Sequence, residues 1–252
     1  MKTMLIVVVL LVSSVAVAAE KSFKNESQAG IVVTGGNTNT EVFSGKTLNT
    51  WTLSESSKVT FGGSYLEGST EDPSTGNSVE TAKRWDAFAR YDQVLNESWS
   101  IFISQNIESD KFSGFSQRYN TDIGARWTIK KSENFYTFLE AGYRYTIENN
   151  IDKNKADQGF ENGERKNSKA RLFYELGGNF NESVSGRFWV EYLPNFDESD
   201  DYLVTFEPSL SAALSKTFAL KLAFLGIYDN QVNVAGNKKF DYTYTTSIVA
   251  KF

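Results

Sequence analysis

The chain has 252 residues, 26 basic against 31 acidic, and contains no histidine and no cysteine. A formal net charge of −5 argues against a nucleic-acid partner, and the missing residues exclude a Ser–His–acid triad, the usual zinc sites and disulfide staples. Three prolines beside 19 Phe, 12 Tyr and 5 Trp point to strands.

Met1-Lys2, an apolar run over 4–12 and the small-residue site Ala16-Val17-Ala18 have the layout of an export signal, cleaved after Ala18 or Ala19. The run is too short for a spanning helix. Residues 1–19 are therefore expected to be a signal peptide and 20–252 a single exported domain.

Beyond the signal the chain reads as about twelve alternating segments of roughly ten residues, the length a tilted spanning strand needs. They fall near 27–35, 40–53, 57–67, 82–95, 98–109, 116–129, 135–147, 167–180, 184–194, 201–215, 217–229 and 239–252. Over 119–129, Tyr119, Thr121, Ile123, Ala125, Trp127 and Ile129 oppose Asn120, Asp122, Gly124, Arg126 and Thr128. Successive strand side chains point to opposite faces, so each segment has one apolar face. Leu225 and Ile227 interrupt the polar face of 217–229.

Every second connection is a short Asn/Ser turn: 53–57, 95–98, 131–134, 181–183 and 215–216. The others are mostly longer: 68–81, 110–115, 148–166, 195–200 and 230–238, with only 35–39 tight. Trp51, Trp99, Trp127, Phe135, Phe180, Phe188 and Phe218 lie beside the short turns. Tyr65, Trp85, Tyr119, Tyr143, Tyr145, Tyr192, Tyr202, Tyr228 and Tyr242 lie towards the loops, so two aromatic belts are expected. The fold class is all-β, a transmembrane antiparallel up-and-down β-barrel of about twelve strands with short periplasmic turns and longer extracellular loops. The competing soluble sandwich or lipocalin-like barrel would turn the apolar faces inward and would not require aromatic rims.

The last segment, 238–252, alternates Phe240, Tyr242, Tyr244, Ile248, Ala250 and Phe252 against polar neighbours. It resembles the insertion signal of bacterial outer-membrane barrels, which assigns Tyr242, Tyr244, Ile248 and Phe252 to recognition by a barrel-assembly machinery. The opening Ala29-Gly30-Ile31-Val32-Val33-Thr34-Gly35-Gly36-Asn37-Thr38-Asn39-Thr40 resembles the start of the salt-induced outer-membrane proteins, the YdiY-like family. That resemblance spans about residues 25–252 and implies a barrel in the outer membrane of a Gram-negative bacterium, without site residues. The Gly-Gly-Asn turn also has a local reason, since these residues tolerate positive φ.

The candidate functional residues are the inward charges: Arg84, Asp86, Arg90, Asp122, Arg126, Glu140, Arg144, Arg171, Glu175, Arg187, Glu191 and Glu207, with Lys46, Asp92, Lys169 and Lys221 beside them. Two arrangements are open to them: a self-satisfied Arg–carboxylate lattice, or a wet pathway that selects solutes. The expected activity is a narrow channel or solute-specific pore. The alternatives are a structural envelope barrel with a closed lumen and, behind it, a barrel enzyme built on a carboxylate pair. No cofactor or metal is called for. Asp197-Glu198-Ser199-Asp200-Asp201 lacks the ligand spacing of a calcium loop and is expected to be a solvated acidic loop. Outer-membrane lipid and lipopolysaccharide are the expected neighbours; Lys153, Lys155, Arg165 and Lys166 suit lipopolysaccharide phosphates, and an ordinary polar extracellular loop accounts for them equally well. Nothing in the sequence sets an oligomeric state.

Overall fold

The computed structural model describes residues 22–34, 40–72, 74–113, 115–150, 163–231 and 238–252. The export signal, the 35–39 turn and Lys153 and Lys155 lie outside them. The described residues form twelve strands: β1 (Phe23–Thr34), β2 (Thr40–Ser54), β3 (Ser57–Glu71), β4 (Ser78–Val94), β5 (Trp99–Asp110), β6 (Phe115–Lys131), β7 (Phe135–Asn150), β8 (Glu164–Asn179), β9 (Val184–Pro194), β10 (Tyr202–Ala213), β11 (Phe218–Asp229) and β12 (Phe240–Lys251). Each pairs antiparallel with its sequence neighbours, and β12 returns to β1, so the sheet closes into a barrel. Closure satisfies the backbone where no water can.

The alternation decides which way each side chain faces, and the wall is inverted relative to a soluble protein. Ile123 is 59% exposed on the outer face, whereas the inward Glu140 is 1% exposed. Ile101, Ile103, Leu139, Leu172, Leu210 and Leu222 are also exposed, while Asp92, Asp122, Arg171 and Glu175 are buried. This is the pattern of a barrel whose solvent is hydrocarbon. Polar pairs interrupt it in places: on β1–β2, Asn25 Nδ2 donates to Asn49 Oδ1 at 2.7 Å and to Thr47 Oγ1 at 3.2 Å, so these outward polar groups satisfy one another.

The short turns are built alike. Asn96 Oδ1 accepts from the backbone N–H of Ser98 and Trp99 at 3.0 and 2.9 Å. Asn181 Oδ1 accepts from Ser183 and Val184, both at 2.9 Å, and Ser215 Oγ accepts from Thr217 and Phe218 at 3.2 and 3.0 Å. A side-chain acceptor two and three residues back mimics a backbone turn. Beside these turns Trp99 stacks on Trp127 at 6.3 Å, and at the opposite rim Tyr192, Tyr202 and Tyr228 pack in a row.

Several strands run further than their sequence spans. β3 and β4 meet over a connection of 72–77, where 68–81 reads as loop, and the β5–β6 connection is 111–114, as tight as the other rim. Likewise β7 reaches Asn150 and β8 starts at Glu164, so the 148–166 loop shrinks at both ends. At β7–β8 the extension carries inward polar pairing, Arg165 to Glu148, whereas at β3–β4 it carries the Glu67–Lys83–Glu80 ion pairs, with Glu67 and Lys83 exposed. Asp201 is a second correction: it is buried, not solvated, and accepts from Asn195 Nδ2 at 2.8 Å and Lys169 Nζ at 3.2 Å.

Candidate functional site

The inner face of β4–β9 carries a lattice of charges. Glu140 on β7 sits at its centre and receives three guanidinium groups: Arg90 Nη2 and Arg126 Nε at 2.7 Å on Oε1, and Arg171 Nη1 at 2.7 Å on Oε2. Arg90 also bonds Asp92 at 2.7 Å. Arg144 takes Asp122 through Nε at 2.6 Å and Nη2 at 2.8 Å and reaches Glu191 at 3.2 Å. Arg171 joins the two groups, with Nε 2.6 Å from Glu191. The central set thus holds four arginines (90, 126, 144, 171) and four carboxylates (92, 122, 140, 191), a neutral whole in which every member is paired. Bidentate, charge-assisted bonds of this kind repay desolvation only when nearly every lone pair is used.

Satellite groups flank the centre. Towards the short-turn rim Arg187 forks onto Glu175 at 2.9 and 2.7 Å, Tyr136 donates to the same carboxylate at 2.9 Å, and Lys221 lies 3.5 Å from Glu207. Towards the other rim Arg118 bonds Glu148 at 2.5 Å and Glu108 at 3.3 Å, with Arg165 3.4 Å from Glu148. A cavity of about 60 Å³ lies among Arg118, Arg144, Glu148, Lys169 and Asp201. Aromatic rings floor the arginines: Arg90 lies 3.9 Å above Phe102, Arg118 3.8 Å above Phe115 and Arg126 4.1 Å above Phe138. Cation–π packing keeps these guanidiniums planar against the wall. Phe102 fits because Gly124 and Gly142 pair opposite each other; a Cβ on Gly124 would meet the Phe102 ring at 2.8 Å.

The β2–β4 side differs. Asp86 accepts from Ser64 Oγ. Among the described residues, Lys46, Lys58 and Arg84 have no carboxylate within ion-pair distance, and Lys46 is exposed although it points into the lumen between Gln28 and Ser64. Lys58 sits directly opposite Asp92 of the central set and Arg84 lies on the same strand as Arg90, so both border the lattice; of the three cations Lys46 alone is exposed, on β2 away from it.

A family model described as "Protein of unknown function, DUF481" matches residues 27–252. The chain belongs to that family. No curated protein sequence matches it. Among solved structures it is similar to the NanC porin, with a TM-score of 0.52 and 10% identity over 91% of this chain and 98% of that one. It is also similar to an outer-membrane channel of Pseudomonas putida F1, described as COG4313, with a TM-score of 0.54 and 11% identity over 94% and 97% of the two chains. At such identity these likenesses concern the barrel fold alone.

The twelve candidate residues all alternate onto the inner face, but they do not form one site. Arg90, Asp122, Arg126, Glu140, Arg144, Arg171 and Glu191 converge at the centre, Glu175, Arg187 and Glu207 form a separate group, and Arg84 and Asp86 stand further along β4, opposite Leu66 and Ser64. Arg118, Glu108 and Glu148 belong to the lattice and were missing from the candidates. Glu108 and Arg118 lie within the expected segments 98–109 and 116–129, in phase with Asn106 and Asn120, and Glu148 lies one residue past 135–147 in phase with Glu140. The four carboxylates after Phe196 are not placed to hold a metal: no group of three or more potential ligands occurs among the described residues. Tyr242, Tyr244, Ile248 and Phe252 form an outward row on β12, exposed at 62, 74, 46 and 58%.

Proposed function

We propose that the protein is a narrow outer-membrane pore that favours small anions, with its conducting path along the β2–β4 side of the lumen. The observation that carries this reading is the exposure of the inward Lys46 opposite a wall where Glu140 is 1% exposed. Twelve strands enclose more room than the eight that side chains fill, and less than a sixteen-stranded porin. The lattice takes up one side of that room. What is left is lined by Lys46, Lys58 and Arg84 with Asp86 among them, an excess of cations, and unpaired side-chain charges at a constriction select by sign. The outward aliphatic rows and aromatic rims support residence in the outer membrane of a Gram-negative bacterium, beside lipid and lipopolysaccharide. The outward row on β12 supports recognition by an assembly machinery.

A second reading, a closed structural barrel, is favoured by the completeness of the central lattice. Recording from folded protein in planar bilayers separates the two. Under a salt gradient the pore shows channel events with a reversal potential on the anion side, and Lys46→Glu moves it towards cations. Folded protein without channel events leaves the closed barrel standing.

A further inference from the structure

The ladder that closes the barrel is short. β1 and β12 pair over Glu26–Ala29 and Ile248–Lys251, and Asn25 and Phe252 exchange backbone bonds at 2.9 Å below them. Elsewhere both strands are fully engaged: β1 pairs with β2 from Phe23 to Thr34, and β12 with β11 from Phe240 to Ala250. Residues 30–34 of β1 and 240–247 of β12 therefore have a strand partner on one side only, among the described residues. At Gly30 the strands still touch, since a Cβ there would lie 2.9 Å from the Thr246 carbonyl oxygen. Above it they do not pair. Unpaired backbone facing hydrocarbon costs several kcal/mol per group, so this stretch calls for something to cover it.

Two features converge on the gap. Outside, an apolar groove of about 800 Å³ crosses the wall, lined by Phe188, Pro208, Leu210, Leu222, Phe224 and Tyr244, and ends on Thr245 and Thr246 beside the last paired residue, Ile248. Its size is that of a small-molecule site. Inside, Val42, Leu66, Leu225 and Ile227 face inward near the gap, with Lys46 and Arg84 adjoining them and Asp241 opposite Ile227. Inward apolar side chains thus stand between two unpaired cations and the gap, where Ser44 and Thr243 are their neighbours, and an apolar groove lies beside the gap on the hydrocarbon side.

We propose that the unpaired part of the β1–β12 seam is a lateral portal, through which an anionic amphiphile with one apolar chain passes between the lumen and the outer groove. The cations hold the head, Leu66 and Leu225 carry the chain, and the groove receives it. This rests on the pore reading of the lumen, and the test keeps the two apart.

The chain has no cysteine, so introduced pairs report without background. Continuing the register from Ala29↔Ile248 by two residues sets Ile31 opposite Thr246. Ile31→Cys with Thr246→Cys places a disulfide across the gap, and Ser27→Cys with Ala250→Cys places one in the paired part as control. Each protein, first verified as folded by heat-shifted gel migration, is reconstituted into liposomes. Two quantities are measured, oxidised and reduced: uptake of decanesulfonate, whose fixed charge prevents unaided crossing, and chloride conductance. Oxidising the Ile31/Thr246 pair is expected to abolish decanesulfonate uptake and reduction to restore it, with chloride conductance kept and the control pair without effect. Uptake that persists with the gap locked, equal loss with the control pair, or no protein-dependent uptake at all overturns the portal. Seam-dependent uptake without chloride conductance would overturn the pore reading of the anion path and leave the portal.

Discussion

At the scale of single residues the molecule is governed by charge pairing in a confined, half-dry space. Glu140 is the clearest case: three arginines face one carboxylate, and removing it strands them together. Glu140→Gln is expected to cost about 3–5 kcal/mol, the usual penalty for breaking a buried pair from one side. A lowered urea midpoint of the folded barrel in detergent would register it. Lys46 is the converse case, a charge with solvent but no partner, so Lys46→Gln should leave the urea midpoint within about 0.5 kcal/mol of the parent, as for exposed positions elsewhere. A large loss on that substitution would show that the cation is structural.

At the scale of elements, each strand has two faces, and the turns at Asn96, Asn181 and Ser215 each have one side-chain acceptor. Ile123→Arg puts a charge on the outer face at mid-wall and is expected to cost about 2–4 kcal/mol of folding free energy in lipid. The same change at the outward Thr121, near the Gln105 side chain it bonds at 2.7 Å, should cost less, because that outer position is already polar. Comparable refolding titrations of the two variants would contradict the assignment of the outer face to hydrocarbon. At the turns, Asn181→Ala removes an acceptor used by two backbone N–H groups. Since the turn is exposed, the loss is expected to be about 1 kcal/mol, read as a small fall in the urea midpoint with conductance unchanged. β10 shows where an element yields: Pro208 has no N–H, and the β10–β11 ladder skips from Phe206↔Gly226 to Ser209↔Ala223 around it. That interruption lies in the floor of the outer groove, whose lining includes Pro208, Ser209 and Ala223.

At the scale of the whole molecule, closure links the two walls of the lumen. The β4–β9 lattice ties six strands by side chains as well as by backbone, whereas the β1–β12 junction is held by a short ladder and the Glu26–Lys251 contact at 3.8 Å. Opening is therefore expected to begin at that junction. Native-state hydrogen exchange should show the amides of 242–249 less protected than those of 120–128 and 138–146, because local opening follows local bonding. Equal protection across both regions would argue against a weak seam.

Much of this was legible in the residues themselves. A period of two is a property of the strand, so the alternation in 119–129 or 167–180 fixes which side chains share a face before any partner is known. The turn signals and absent histidine are local facts of the same sort, and together they set strand number, topology and the exclusion of a triad. The lengths of the strands were less legible: Glu148 and Arg165 continue the inner face beyond the expected segments 135–147 and 167–180, and polar pairing across a lumen leaves no hydrophobic signature in one strand. The partners of each charge were not legible at all. Arg90 meets Glu140 fifty residues away because the barrel's curvature and the tilt of its strands bring β4 and β7 together across the lumen. Only closure could decide that, and with it which wall would be sealed, which lysine would stay wet, and where the first and last strands would stop pairing.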